Sequence, residues 1–247
     1  DKIVVLTNRA IPQIINISQK LDREKIIIIP CCADYNHFKP LSLIRKRTLK
    51  TSLNIPIKSK VICYLGSLGT VYLFTEQIKL FHELLKNNKK DDYVFLLITK
   101  NWNEDYKKKI INLGFKSILK KLIIVSASRN QVPLYLGISD LLITFRMNSY
   151  SQMAASPTKI AEAFAMGVSI ITNKGIGDVD EILNKFKGGI ILDYSNKIQV
   201  YKFCKNIKKI IALGGKKLRN KTKESFDLGR ADKAYTNLYY SLINEKK

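Results

Sequence analysis

The sequence predicts an α/β fold in which a parallel sheet carries helices on both of its faces. Eight short aliphatic runs alternate along the chain with longer amphipathic stretches, which is the element order of a parallel sheet with crossover helices. The runs are apolar on both sides, as in residues 26–29, 94–98 and 190–192. Each strand therefore needs a helical layer above it and another below it.

The elements follow from the amino terminus in strict alternation. Strands are predicted at residues 3–7, 25–29, 60–66, 93–99, 122–126, 141–145, 168–172 and 189–193. Helices are predicted at residues 11–21, 43–53, 73–86, 104–113, 133–137, 157–166, 179–184 and 197–213. After Gly214 and Gly215, residues 216–247 predict one or two more helices whose apolar stripe, including Tyr235 and Tyr239, needs a surface to cover.

Composition narrows the function classes. The 247 residues, 46% of them hydrophobic, support one large domain or one and a half small ones and exclude a disordered chain. The formal charge of +23 predicts a basic surface, which attracts anionic membranes, phosphorylated ligands or nucleic acid. No zinc-finger or RNA-binding motif accompanies this charge, so nucleic acid is the least favoured partner. Solvated helix faces and an anionic membrane surface are the stronger interpretations.

Location and metal chemistry are predicted from what the sequence does not contain. No apolar run reaches the length of about 18 residues that a membrane span needs, and no signal segment opens the chain. A cytoplasmic protein is expected, with a peripheral position at the inner face of the membrane as an extension. Cys31, Cys32, Cys63 and Cys204 match no zinc-ligand spacing and are expected to be reduced. No carboxylate cluster suggests a metal, so none is predicted.

Three loops at strand ends are candidate ligand sites, because open parallel sheets bind ligands beyond the carboxyl ends of their strands. The first loop follows the predicted strand at residues 60–66 and contains Gly66, Ser67 and Gly69. Glycines there let the backbone approach an anion closely. An ordinary turn between a strand and a helix is the alternative.

The second loop opens the predicted helix at residues 157–166. Ser156 is a good N-cap and Pro157 suits the first helical position, which leaves the N–H groups of Thr158 and Lys159 unpaired. A lysine in the first turn opposes the helix dipole unless an anion offsets both, so a phosphate or diphosphate is predicted here. Glu162 lies on the same face and can accept hydrogen bonds from sugar hydroxyls. A surface Lys–Glu pair on a capped helix is the alternative.

The third loop, residues 173–178, combines Gly175 and Gly177 with Asp178 as a helix cap. Such a loop can meet a polar ligand from the opposite side of the site. By itself it is also an ordinary turn. The two histidines give no convincing general base, because His37 lies far from these loops in sequence and His82 falls in mid-helix.

The motif of residues 156–178 resembles the donor-nucleotide signature of family 4 glycosyltransferases, which have two Rossmann domains in the GT-B architecture. Residues 66–69, 128–133 and 29–38 agree with further landmarks of that family in the same order. The resemblance implies a Rossmann-like nucleotide-sugar-binding domain at residues 22–213, the C-terminal half of a GT-B fold. Residues 1–21 would end a missing N-terminal Rossmann domain and its linker, and residues 214–247 would pack back on that domain.

The resemblance also implies roles for individual residues. Lys159 would meet the donor diphosphate and is the one residue given a catalytic role, because negative charge grows there as the glycosidic bond breaks. Glu162 would hold the ribose hydroxyls. The remaining donor-binding residues are the turn that approaches the diphosphate, the start of the helix and the loop that lines the base: Gly66, Ser67, Gly69, Ser156, Pro157, Thr158, Arg129 and Val132.

Three positions depart from the family pattern. Ala154 stands where the family commonly has its first glutamate, which touches the donor sugar. Ser67 and Tyr72 stand near the positions of the usual arginine and lysine of the glycine-rich turn. Sugar recognition and diphosphate neutralisation are therefore expected to be reassigned or weakened.

The function implied is transfer of a sugar, with retention of configuration, from a nucleoside diphosphate sugar to a polysaccharide or glycolipid acceptor. The chain would be a hexosyltransferase-type enzyme that is inactive without its N-terminal half. One alternative is a catalytically inactive basic scaffold or nucleic-acid-binding module. A nucleotide-sugar epimerase of the same architecture is less favoured, because Ala154 and the scarcity of histidines leave it without the groups it needs.

Overall fold

The computed structural model describes residues 1–18, 20–69 and 71–244. The last residues of the predicted tail lie outside the described residues, as do Gln19 within the predicted helix at residues 11–21 and Thr70 beside the first glycine loop. The eight predicted strands and the predicted helices are present in the described residues, most with ends shifted by one or two residues.

Six parallel strands form the main sheet in the order β5-β4-β3-β6-β7-β8. Their bounds are β3 Lys60–Leu65, β4 Tyr93–Ile98, β5 Leu122–Val125, β6 Leu141–Thr144, β7 Ser169–Thr172 and β8 Gly189–Ile191. The order runs outward in both directions from the pair β3 and β6. That pair is the point where the winding of the sheet reverses, and its carboxyl end is where such sheets hold ligands.

Helices cover both faces of this sheet. The first two are α1 Ile11–Ile17 and α2 Leu43–Ser52, and the others are α3 Phe74–Asn87, α4 Glu104–Asn112, α5 Val132–Gly137, α6 Thr158–Met166, α7 Val179–Phe186, α8 Lys197–Ile211, α9 Lys216–Phe226 and α10 Leu228–Asn244. Alternate residues of β3 enter different cores: Val61 and Cys63 join one cluster, and Ile62 and Tyr64 join the other. The prediction of a sheet buried on both faces is confirmed.

Strands β1 Ile3–Val5 and β2 Ile26–Ile28 pair with each other in parallel and form a separate two-stranded sheet. With α1 they enclose a small core of their own. The predicted domain boundary between residues 21 and 22 therefore runs through this small unit. The sequence pattern could not reveal this, because β2 is as aliphatic as the strands of the main sheet.

The tail contains two helices with different environments. Helix α9 packs on the main domain, where the Phe226 ring lies 5.6 Å from Phe164 and 5.8 Å from Phe186. Part of the apolar surface of residues 214–247 is therefore covered within the main domain. Helix α10 buries Leu238 but leaves Tyr239 62% exposed. Among the described residues, no helix has the length and apolar character required to cross a membrane.

Candidate functional site

A cavity of about 460 Å³ opens at the carboxyl edge of the main sheet, beside the β3–β6 pair. It is bounded by the turn after β3, the segment after β6 and the start of α6. Most of the residues predicted from sequence line it: Gly66, Arg129, Val132, Ser156, Pro157, Thr158, Lys159 and Glu162. The structure thus brings together residues that lie almost a hundred positions apart in the chain.

Lys159 points from the first turn of α6 toward the glycine turn. A Cβ atom added to Gly66 would lie only 2.8 Å from Lys159 Nζ. The ammonium lies over the ring of Tyr72, 4.3 Å from its centroid, and 4.9 Å from that of Tyr64. The Nζ atom is buried and has no hydrogen-bond partner within residues 1–18, 20–69 and 71–244. Burial, followed by the Arg146 guanidinium, lowers the pKa of Lys159 to about 7.

Arg146, which the sequence interpretation did not select, lies in the same cavity. Its guanidinium is 5.2 Å from the centroid of the Tyr72 ring, and its Nε is buried without a hydrogen-bond partner. Asn173 fixes the backbone at this point: its Oδ1 accepts the Arg146 N–H at 2.9 Å and its Nδ2 donates to the Arg146 carbonyl at 2.9 Å. The only sequence signal was an arginine directly after a buried strand.

Glu162 lies one turn further along α6 and is 7% exposed. The Arg129 Nη1 approaches its Oε1 to 3.9 Å. Burial raises the pKa of the Glu162 carboxyl, while Arg129 and Lys159 act in the opposite direction. A buried carboxylate with one distant cationic neighbour can still accept hydrogen bonds from a ligand.

The predicted N-cap at Ser156 is wrong. Pro157 has extended backbone angles and occupies the N-cap position, so α6 begins at Thr158. The Ser156 hydroxyl instead accepts the Cys31 N–H at 3.1 Å, which ties α6 to the loop after β2. The N–H groups of Thr158 and Lys159 still lack an acceptor within the helix, because they precede its first intrahelical hydrogen bond.

The glycine turn meets the cavity only at its beginning. Gly66 and Gly69 have φ of 131° and 100°, which favour glycine. Ser67 lies in a neighbouring depression, and its carbonyl accepts a hydrogen bond from Tyr64 Oη. Gly69 lies against Tyr106, whose Oη would be 3.0 Å from an added Cβ. Of the three predicted turn residues, Gly66 lines the cavity, whereas Ser67 and Gly69 lie beside it.

The third predicted loop, residues 173–178, contains Asp178, whose side chain has a structural role. Asp178 does not cap α7 with its side chain. Its carboxylate instead accepts the Asn8 N–H at 2.6 Å, the Asn8 Nδ2–H at 3.0 Å and the Arg9 N–H at 3.2 Å. Asp178 therefore holds the segment after β1, and its carboxylate, already bound by three donors, does not serve as the predicted cap of α7.

The two histidines differ in their surroundings. His82 stacks on Phe115 at 4.2 Å within the α3 face and is a packing residue. His37 Nε2 is buried without a hydrogen-bond partner, and its ring meets Phe38, a lining residue of the cavity, edge-on at 5.2 Å. The fold therefore brings His37 closer to the site than its sequence position suggested.

Comparison with known proteins agrees with this geometry. The family model described as glycosyl transferases group 1 matches residues 45–226. No curated protein sequence matches the chain. A glycosyltransferase of Rickettsia africae is similar in structure with a TM-score of 0.73 and 17% identity over 98% of this chain and 64% of that one.

Two further solved structures have the same architecture. WaaG, described as a glycosyltransferase involved in lipopolysaccharide biosynthesis, superposes with a TM-score of 0.72 at 16% identity over 94% of this chain and 61% of its own. HepE of Anabaena, solved in complex with UDP and glucose, superposes with a TM-score of 0.73 at 15% identity over 97% of this chain and 63% of its own. At these identities the likeness shows the shared GT-B fold. The present chain spans less than two thirds of the length of each of these proteins.

Proposed function

The chain belongs to the glycosyl transferases of group 1, and from this membership we propose that it is the C-terminal, donor-binding domain of a family 4 enzyme. In this proposal the domain binds a nucleoside diphosphate sugar in the cavity at the start of α6. The complete enzyme, with an N-terminal Rossmann domain, transfers the sugar with retention of configuration. In this proposal the transferred sugar is a hexose, and the isolated C-terminal domain has no transfer activity by itself.

One observation carries the proposal: among the described residues, the buried ammonium of Lys159, at a helix start, has no hydrogen-bond partner. Burying an unpaired charge is unfavourable, and the positive end of the helix dipole adds to that cost. A diphosphate in the cavity would offset both. The Anabaena relative, described with UDP and glucose, supports the same class of ligand.

The site residues suggest how the donor is held. The N–H groups at the start of α6 and the Lys159 ammonium face the position of the diphosphate, where they stabilise the charge that grows as the glycosidic bond breaks. Glu162 accepts hydrogen bonds from the ribose hydroxyls. Arg129 and Val132, on the opposite wall, border the base. This assignment uses no metal and gives no residue of the chain the role of general base.

The proposed acceptor is a polysaccharide or a glycolipid, and an anionic membrane surface is the proposed partner of the basic exterior. Helix α2 supports the second point. It buries none of its residues, and Leu43 and Ile44 at its start are 75% and 78% exposed beside Arg45 and Arg47. Exposed aliphatic side chains among cations are suited to the interface of an anionic bilayer. The proposed location is the cytoplasm, peripheral to the inner membrane face.

Thermal unfolding with a panel of nucleoside diphosphates tests donor binding. A ligand at a hundred times its dissociation constant stabilises the folded state by about 2.7 kcal/mol, so at least one of UDP, GDP and ADP should raise the melting temperature by several degrees. A flat panel, together with salt-sensitive retention of RNA, would overturn the proposal in favour of a basic scaffold. The anomeric configuration of the product, read by NMR with the longest form of the protein that its gene encodes, tests retention.

A further inference from the structure

Two cations face one aromatic ring in the candidate site. The Lys159 ammonium and the Arg146 guanidinium lie 4.3 Å and 5.2 Å from the centroid of Tyr72. They come from different elements, one from the first turn of α6 and the other from the segment after β6. The ring attracts both cations, but their mutual repulsion contributes to the low pKa of Lys159.

Neither cation is neutralised within the described part of the chain. The ion pairs found among residues 1–18, 20–69 and 71–244 include neither Lys159 nor Arg146. Glu162 is the acidic residue nearest in the site, and its ion-pair partner is Arg129. The Arg146 Nε and the Lys159 Nζ are both buried, and neither has a hydrogen-bond partner in the part of the chain that the structure describes. Each of the two groups therefore has donors to offer to a ligand.

The position of Arg146 is set by the fold. The segment after β6 is joined to the chain ahead of α3 by two backbone hydrogen bonds, Leu73 N–H to Phe145 O at 3.2 Å and Met147 N–H to Val71 O at 2.7 Å. Together they pair Tyr72 with Arg146 as an isolated antiparallel bridge. The Asn173 side chain holds the same residue from β7. A backbone fixed on two sides restricts where the guanidinium can lie, which is the arrangement expected of a preorganised binding group.

We propose that Arg146 is the second cation of the anion site, and that Arg146 and Lys159 together select a ligand with two linked phosphoryl groups over a ligand with one. This inference rests on the proposed function and deepens it. A single phosphate can be neutralised by one of the cations and leaves the other unpaired. Two linked phosphoryl groups provide an anionic oxygen for the ammonium and a pair of oxygens for the planar guanidinium.

The test compares a nucleoside diphosphate with its monophosphate by calorimetry, using the base selected by the thermal panel. In Arg146→Gln we expect the affinity for the diphosphate to fall about tenfold and that for the monophosphate to fall less than about threefold. Arg146→Lys should keep an intermediate affinity for the diphosphate. The matched control is Arg45→Gln, on the exposed surface of α2, which should leave both affinities unchanged.

Equal losses for the two ligands in Arg146→Gln, or no loss beyond that of Arg45→Gln, would overturn the inference while the proposed function stands. Failure of the unaltered protein to bind any nucleoside diphosphate would instead overturn the proposed function. Folding is checked by the melting temperature without ligand, which should not fall in Arg146→Gln, because the substitution removes a repulsive neighbour of Lys159. A drop of several degrees would indicate a structural role and count against the inference.

Discussion

Helices α6 and α7 begin at the same edge of the sheet, after neighbouring loops rich in small residues, yet their first turns are opposite in character. Helix α7 carries Asp180 and Glu181 in its first turn, and Arg9 pairs with Asp180 at 3.0 Å. Helix α6 has no acidic residue there and carries Lys159 instead. One start is neutralised from within the chain, and the other has a cation that a ligand would neutralise.

The difference shows how a ligand site can be distinguished from an ordinary helix start. The positive end of a helix is common to both, and so is a preceding loop with glycine or proline. The partners of the charged groups separate them: the Asp178 carboxylate accepts hydrogen bonds from Asn8 and Arg9, and Asp180 Oδ2 pairs with Arg9. Lys159 Nζ has no hydrogen-bond or ion-pair partner among the described residues.

The largest effect is expected at the start of α6. Lys159→Ala removes a charge-assisted contact, which contributes about 1.5–3 kcal/mol, so nucleoside diphosphate affinity measured by calorimetry should fall about ten- to a hundredfold. Lys197→Ala is the matched control, because Lys197 is also the first-turn lysine of a helix but is exposed. Equal affinities in the two variants would show that Lys159 does not contact the ligand.

The corresponding change at α7 should affect stability instead of binding. Asp178→Ala removes the acceptor of three hydrogen bonds to Asn8 and Arg9, and the free energy of unfolding in urea should fall by about 2 kcal/mol. Nucleoside diphosphate affinity at a temperature where the variant is folded should stay within about twofold, since no ligand contact is lost. A weaker affinity with normal stability would instead indicate that Asp178 contacts the ligand.

A substitution of Glu162 tests a second residue of α6 for its contribution to ligand affinity. Glu162→Gln keeps the side-chain shape but replaces a charged acceptor, so affinity for the nucleoside diphosphate should fall about tenfold. Inorganic pyrophosphate, which has no ribose, is the control ligand, and its affinity should not decrease. If both ligands lose affinity equally, Glu162 acts on the anion site as a whole and not on the sugar hydroxyls.

A smaller effect is expected from pH. Lys159 has a pKa of about 7 in the free protein, and the ligand binds its charged form, so the affinity for a nucleotide sugar should fall about fivefold from pH 7 to pH 8. A nucleotide sugar is the suitable ligand for this measurement, because its diphosphate has no group that titrates between pH 7 and pH 8. The charged and titratable groups near Lys159 in the described residues include Arg146, Glu162, Cys63, Tyr64 and Tyr72. Lys159→Arg should remove the slope, since arginine stays charged.

In the free protein, folding stability depends on pH in the opposite direction to ligand affinity. The unfolded chain keeps the Lys159 proton up to its ordinary pKa of 10.5, and the folded chain only up to about 7. The unfolded state therefore binds more protons between these values, so the contribution of Lys159 to stability rises with pH across this window. Denaturation in urea at pH 7 and pH 9, compared with Lys159→Met, isolates that contribution.

Local patterns predicted the elements and much of the site. The aliphatic runs gave the strands, because burial on both faces requires apolar residues at every position, and the Pro157 to Glu162 motif gave the helix that borders the candidate site. The role of Arg146 could not be predicted, because its meaning depends on Tyr72 and Asn173, which only the folded sheet brings near. The side-chain caps predicted at Ser156 and Asp178 were wrong for the same reason: their polar atoms bind distant residues.

The short segment after β1 is hydrogen-bonded to the chain on either side of α6. Thr7 Oγ1 donates to the Met153 carbonyl at 2.8 Å, just ahead of the start of α6, and Asp178, in the loop before α7, accepts the Asn8 N–H. A rotation of the two-stranded unit would therefore also displace the start of α6. A domain attached to that unit could in this way change the width of the candidate site without contacting a ligand there.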